Sequence, residues 1–433
     1  MAIQALLVIL AVLLVLLFLG VPISYAIAVS SLTAILSSID LNVAVLTAAQ
    51  RTFVGMSKFS LTAIPFFILA GNIMNQGGIA KRLVDFVMAI LGKMPGALLV
   101  TNIGTNALFG AISGSASAAA AAVGSMIRDG AEEQGYDPAV TAATNAASSC
   151  SGLLIPPSNA LITYSLASGG TSVAALFMAG YVPGIIWALA CAVVGVILAK
   201  KLGYKGTPGK FDWKNLGVCT LRALPSLSLI IVVIGGIIGG VFSATEGSAI
   251  AVVYALVLAF CYRSINLKSL WKIIVDSAKM SGMVVFLVGV SNILGWVMAF
   301  LQIPDAVAAA LLSLTSNKYI ILLIMNVILL VSGTFMDVTP AILIFTPLFL
   351  PICQSFGMST IQFGLILVYN LCIGNITPPV GNALFVGIKV GRTSLSKVMP
   401  YMLMYYVAII GGLLLVTFIP AVSTALPQAM GLM

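Results

Sequence analysis

Apolar residues in this chain run in long blocks rather than alternating with polar ones. Ala5 to Leu19, Val173 to Ala199, Leu227 to Val241 and Met399 to Pro420 are near or above the length a helix needs to cross bilayer hydrocarbon. By that rule the chain carries roughly ten to twelve spans, with shorter apolar pieces between them. The first block has no basic residue before it and passes through Val21-Pro22 into a second apolar stretch, so it reads as a retained span rather than a cleaved signal.

Two breaks interrupt these blocks in the same way. Pro156-Pro157 is followed by Ser158-Asn159-Ala160-Leu161, and Pro378-Pro379 by Val380-Gly381-Asn382-Ala383-Leu384, with the two double prolines 222 residues apart. Gly135 and Gly357 share that spacing, as do Thr171-Ser172 and Thr393-Ser394. Asn72-Ile73 and Asn292-Ile293 are 220 apart, and Ser113-Gly114 and Ser332-Gly333 are 219 apart. Each pair alone is weak, since Gly, Ser and Thr are common in membrane helices. Near-constant spacing across the set indicates internal duplication.

Composition sets the solvent. With 61% hydrophobic and 7% charged residues in 433, and a mean hydropathy of +1.17, the chain is an all-α polytopic membrane protein. The net charge of +9 is no nucleic-acid signal, because the basic residues sit at span ends and report topology. Lys200, Lys201, Lys205, Lys210, Lys214 and Arg222 mark a cytoplasmic loop near mid-chain, and Arg263, Lys268, Lys272 and Lys279 a second. Pro225 to Cys261 then forms two short spans turning near Ser243 to Gly247 on the outer side. Ser168 to Ser172, after the first break, carries no charge, whereas Lys389, Arg392 and Lys397 follow the second. The two copies therefore face opposite ways, an inverted repeat. The six cysteines are scattered and never form CxxC, which fits reduced core residues better than a metal site or disulfide framework.

The chemistry follows from proline. Pro156 and Pro157 have no N–H, so a helix running up to them loses the donors to the Gly152 and Leu153 carbonyls; Pro378 and Pro379 free those of Gly374 and Asn375. At membrane depth such carbonyls need water, a side chain or a cation, and the C-terminal end of a half-helix favours a cation. Past each break, Ser158-Asn159 and Gly381-Asn382 begin new half-helices whose N–H groups suit an anion. Upstream lie two clusters, Gly110 to Ser117 and Ser332 to Pro340, whose flanking arms predict re-entrant hairpins; their alternative role is close helix packing. Among eleven acids, Asp337 differs by sitting at the second tip between apolar arms, as a functional carboxylate or a helix cap. With no histidine and few intramembrane acids for a proton relay, Na⁺ is favoured over H⁺ as the coupling ion. The same lack, with no HExxH or GxSxG, speaks against an embedded enzyme.

These phrases resemble the large membrane subunit of tripartite ATP-independent periplasmic (TRAP) transporters. The resemblance rests on Ile64-Pro65-Phe66-Phe67-Ile68-Leu69-Ala70-Gly71, Gly110 to Ser117, Ile155-Pro156-Pro157-Ser158, Gly333 to Pro340 and Asn375-Ile376-Thr377-Pro378-Pro379-Val380-Gly381. It implies an elevator-type, Na⁺-coupled importer in the bacterial inner membrane. It also implies three partners besides the lipid bilayer: a small four-span membrane subunit, a periplasmic substrate-binding protein, and an organic anion such as sialic acid, towards which the wording leans, or a C4-dicarboxylate. The small subunit is expected as a separate chain.

Carried across, one Na⁺ site uses Ser113, Gly152, Ile155 and Pro156, and the other Gly333, Gly374, Thr377 and Val380. Ser115, Asn159, Asp337 and Asn382 are the substrate candidates. The first motif lacks the extra residue between proline and asparagine, so the two sites need not be equivalent. A stand-alone Na⁺/anion symporter of a related elevator family would share these features without a binding protein. The expected organisation is scaffold spans in 1–60, a first repeat in 61–199, the basic loop 200–222, scaffold spans in 223–280, a second repeat in 281–397 and a C-terminal span in 398–433.

Overall fold

The computed structural model describes residues 2–206, 211–315 and 317–433, so Lys210 of the basic loop lies outside the described residues. Backbone in hydrocarbon must satisfy its own hydrogen bonds, and the described residues accordingly form helices and no strands. Helices α1 (Ala2–Phe18), α2 (Ile23–Ile35) and α3 (Leu41–Met56) come first. Between α3 and the segment Phe59–Gln76, which ends in α4 (Ala63–Gln76), the chain bends by 59°. After α5 (Ile79–Leu91), α6 (Ala97–Ser113) and α7 (Ala116–Glu133) pack as a hairpin. The first double proline lies between α9 (Ser151–Leu154), which continues α8 (Pro138–Ser149), and α10 (Asn159–Ala167). Long helices follow: α11 (Val173–Leu202), α12 (Trp213–Ile238), α13 (Ala244–Cys261) and α14 (Leu267–Phe300), then the short α15 (Ile303–Leu314). A second hairpin, α16 (Lys318–Gly333) and α17 (Val338–Ser355), precedes α18 (Thr360–Gly374), the second double proline and α19 (Asn382–Val390). The described chain closes with α20 (Leu395–Phe418) and α21 (Ala421–Ala429).

Local chemistry sets many of these boundaries. Asp137 caps α8, its carboxylate accepting from Ala139 N at 2.8 Å with Pro138 in the first turn. Ser243 and Glu246 form a reciprocal capping box that opens α13 after the turn from α12. Gly203, at φ 75°, ends α11 in the left-handed conformation that glycine adopts without a Cβ clash.

Among the described residues, six helices are long and apolar enough to cross a membrane: α11, α12, α13, α14, α17 and α20. A seventh arises if the bent α3–α4 pair counts as one. That is fewer than the roughly ten to twelve spans read from hydropathy, because the breaks divide several apolar runs into shorter helices. The apolar helices α1, α2, α6, α15, α16 and α18 have 17 residues or fewer. At 1.5 Å per residue, a 15-residue helix reaches only about 22 Å, short of the roughly 30 Å hydrocarbon core.

Packing sorts the helices into two groups. α2, α3 and α4 lie against α14, and α4 also against α13; α12 bridges α13 and α5. α4, expected within the first repeat at 61–199, thus packs mainly on helices assigned to the scaffold or beyond it. In the other group α6 contacts α7, α8, α9 and α11, while α18 contacts α16, α17 and α20. The half-helices after the breaks cross over: α10 packs on α17, and α19 on α7 and α8.

Glycine makes the closest backbone approaches. A Cβ added to Gly152 would lie 2.1 Å from Gly110 Cα, and one added to Gly374 would lie 2.4 Å from the Gly333 carbonyl carbon. Each hairpin's first helix therefore presses its end against the helix entering a double proline. Gly110→Ala places its methyl 2.6 Å from Gly152 Cα, and is expected to cost about 1–3 kcal/mol as backbone shifts. Gly411→Ala, with nothing within 4 Å, is expected to be neutral or to stabilise by up to about 1 kcal/mol. Thermal unfolding of the two variants in detergent, followed by size-exclusion chromatography, compares them; equal midpoints would refute the contact.

Candidate functional site

The two double prolines handle their lost donors differently. Both Pro156-Pro157 and Pro378-Pro379 are cis. In the first break, the Ser158 hydroxyl donates to the Leu153 carbonyl and accepts from Leu161 N at 3.3 Å. One buried side chain thus closes one half-helix and caps the next. The Gly152 carbonyl faces Pro156, which has no N–H for it.

In the second break, the expectation of free carbonyls at Gly374 and Asn375 needs correction. Gly374 O accepts from Thr377 N at 2.9 Å and Asn375 O from Ala383 N at 3.1 Å. The chain between α18 and α19 curls into turns rather than running helically to the prolines, and those turns bring new donors round. Tyr406 OH donates to Ile376 O at 2.6 Å, and Thr377 Oγ1 to Ile373 O at 2.6 Å. A carbonyl oxygen has a second lone pair, so one turn bond leaves Gly374 O able to ligate a cation.

Ser113 ends α6 and is buried, its hydroxyl donating to Ser115 O at 3.4 Å. Gly110 of the same helix touches Gly152, so Ser113 and Gly152 lie on two packed elements. Ile155 takes an extended conformation before Pro156. Gly333 packs on Gly374, and Val380 N donates to Thr334 O at 3.1 Å, tying the second hairpin's tip to the second break. These are hard oxygen donors and no buried acid, a set that suits a monovalent cation better than a transition metal. Among the described residues no group of three His, Cys, Asp or Glu side chains gathers to hold a metal.

Between the tips lies a cavity of about 180 Å³. Ser115, Asn159 and Asp337 line it together; Asn382 does not line it, but donates from Nδ2 to Asp337 Oδ1 at 3.3 Å. Ser115 and Asp337 occupy equivalent places as N-caps of α7 and α17. Asn159 Oδ1 and Asn375 Oδ1 are buried beside the cavity without a hydrogen-bond partner. Such atoms are expected to find one when a ligand arrives. Sequence reasoning missed Thr163 and Thr339 on this wall and Met280 opposite. For Thr163 a signal existed: it lies one helical turn after Asn159 and so on the same face. Met280 comes from α14, and nothing local points to it.

The electrostatics are lopsided. Among the described residues Asp337 is the one charged residue that lines the cavity, and no lysine or arginine does. An anion about 5 Å from that carboxylate would be repelled by up to about 3 kcal/mol at an effective dielectric of 20.

Long apolar helices, broken helices meeting at a polar cavity and oxygen donors at the breaks define a multi-pass membrane transporter. Residues 10–422 match the family described as tripartite ATP-independent periplasmic transporter, DctM component, and the chain belongs to that family. It is 50% identical to the uncharacterised protein YgiK of Salmonella typhimurium over 94% of each chain. It is 37% identical to the C4-dicarboxylate TRAP transporter large permease protein DctM of Pseudomonas aeruginosa, over 93% of each. The solved YdaH transporter of Alcanivorax borkumensis has the same general fold, with a TM-score of 0.61 and 16% identity over 88% of each chain. By that family the chain is a transporter and not an enzyme.

Ser158→Ala strands a buried carbonyl and a buried N–H at the first break, and is expected to cost about 1–3 kcal/mol. The fall in thermal midpoint of the purified protein measures it; an unchanged midpoint would mean that the hydroxyl does not hold the break.

Proposed function

We propose that this protein is the large membrane subunit of a Na⁺-coupled importer of an organic anion across the bacterial inner membrane. A periplasmic binding protein delivers the anion, and a small four-span membrane subunit completes the frame. The observation that carries this reading is the charge of the cavity. An organic acid entering beside Asp337, with no basic side chain on the wall, needs cations nearby. Two broken helices bring oxygen donors to within a few residues of that wall, at Ser113, Gly152, Ile155 and Pro156 and at Gly333, Gly374, Thr377 and Val380. Sodium bound there offsets the repulsion, so that substrate binding depends on the ion.

The reciprocal packing of α10 on α17 and of α19 on α7, with charge on opposite sides of the two breaks, supports an inverted repeat. Its two re-entrant hairpins and two broken helices would move as one body past α1–α4 and α12–α14 in an elevator cycle. The named substrates of relatives are organic acids, and the cavity's serines, threonines and asparagines suit the hydroxyl and carboxyl groups of such molecules.

Uptake of a panel of carboxylates by proteoliposomes containing the protein, its small subunit and its binding protein tests this, with a Na⁺ gradient imposed. No Na⁺-dependent uptake of any of them would overturn it. Asp337→Asn removes the repulsion, so substrate affinity should depend less steeply on Na⁺ while gradient-driven uptake falls. Thr377→Ala should raise the Na⁺ concentration for half-maximal uptake several-fold without loss of assembly; an unchanged Na⁺ curve removes Thr377 from the ion site.

A further inference from the structure

A second, larger cavity of about 450 Å³ lies farther along the same helices, and it has the opposite charge. Its wall carries Arg51 and Lys58 and no acidic residue. The Arg51 guanidinium stands 5.8 Å from the centre of the Trp296 ring. Among the described residues the side-chain ion pairs within 4.0 Å are those of Arg128, so no carboxylate neutralises Arg51 or Lys58.

The position of these cations is informative. α14 starts among Lys268, Lys272 and Lys279, whereas the cavity is built on its far end, from Val288 to Ala299. Gly169, also on the wall, lies just before the start of α11, which ends 30 residues later at Lys200, Lys201 and Leu202. The cavity is thus at the end of the molecule opposite the basic loops, where positive-inside bias disfavours lysine and arginine. Two unpaired cations there call for another reason.

Three helices line both cavities. On α14 the inner wall holds Met280 and Val284, and the outer wall Val288, Asn292, Trp296 and Ala299. Steps of three and four residues make one continuous face. On α17 Thr339 leads to Leu343 and Pro347, and on α10 Thr163 leads to Leu166 and Ala167. From Val284, on the inner wall, to Trp296, which the Arg51 guanidinium faces, is about 18 Å along α14. Arg51 therefore acts first on something held beside Trp296, and Lys58 shares that outer wall.

We infer that this outer cavity is a distinct binding site for a small organic anion. The guanidinium of Arg51 and the ammonium of Lys58 hold its carboxylate, Asn292 lies within the same wall as a hydrogen-bonding group, and Trp296 covers its carbon skeleton. A cavity of this size, part aromatic with a few convergent polar groups, matches ordinary small-molecule sites. As a staging point for import the site rests on the transport reading; as a binding site it does not.

The test uses the whole chain in nanodiscs, with exposed Cys261 replaced by serine and a reporter thiol introduced as Ala299→Cys. Labelling rates are compared for an anionic sulfonate and a cationic trimethylammonium methanethiosulfonate. The anionic reagent should be favoured, and Arg51→Gln with Lys58→Gln should lower the rate ratio about tenfold at low salt, while Arg51→Lys with Lys58→Arg retains it. Succinate should slow labelling more than its uncharged dimethyl ester, and more than chloride at equal ionic strength. A ratio indifferent to both charges, or protection by succinate no greater than by chloride, overturns the site. In proteoliposomes the double glutamine variant should raise KM five- to tenfold with the maximal rate within twofold. If it impairs only uptake through the binding protein and leaves labelling and protection intact, the cations serve protein docking and the inference fails. Absence of uptake by the unaltered protein would refute the transport reading alone, since labelling and protection are read without transport.

Discussion

A carbonyl that loses its helical donor inside a bilayer has no bulk water to turn to, and a proline removes that donor permanently. Two pairs of prolines impose this condition twice, and much of the fold is arranged around it. Ser158 reaches back to the Leu153 carbonyl, while Thr377 N, Ala383 N and Tyr406 OH supply the second break. Gly110 and Gly333 let the hairpin ends come against the broken helices at backbone distance. The result is backbone that departs from helix yet stays covered, with the Gly152 carbonyl still available to a ligand.

Covering the breaks also fixes the shape of the cavity. α10 rests on the second hairpin and α19 on the first, so each half-helix is tied to the opposite hairpin. Ser115 and Asp337, at the N-cap positions of the two outgoing hairpin helices, though only Ser115 makes a capping bond, are brought to one cavity by that exchange. A serine at one tip and an aspartate at the other make the pair unequal. The wall gains one negative charge where two neutral caps would have given none.

Much of this could be read from the chain because it is local. A double proline, a Gly-Ser tip, an Asp-Pro helix start and a carboxylate between apolar arms each state their consequence within a few residues. Where each apolar run is cut was not legible, since hydropathy does not register the breaks. The turn bonds that partner Gly374 and Asn375 depend on the chain's curl after α18, which proline chemistry alone does not dictate. Met280 and the pair Arg51 and Lys58 were invisible as wall residues for a different reason. They come from α14 and from α3 and its exit, and only tertiary packing brings them to the broken helices.

On the proposed transport reading, the two cavities divide the electrostatic work of handling an anion. A site with fixed cations binds an anion whether or not sodium is present, and would hold it too firmly to release it as the gradient requires. A wall bearing only Asp337 does the reverse, since it accepts an anion only with mobile cations that leave when the ion does. On the proposed reading, a base on the inner wall would put a permanent charge in place of sodium and remove the reason for coupling. On that reading, bases on the outer wall and an acid on the inner one allow both behaviours in one chain.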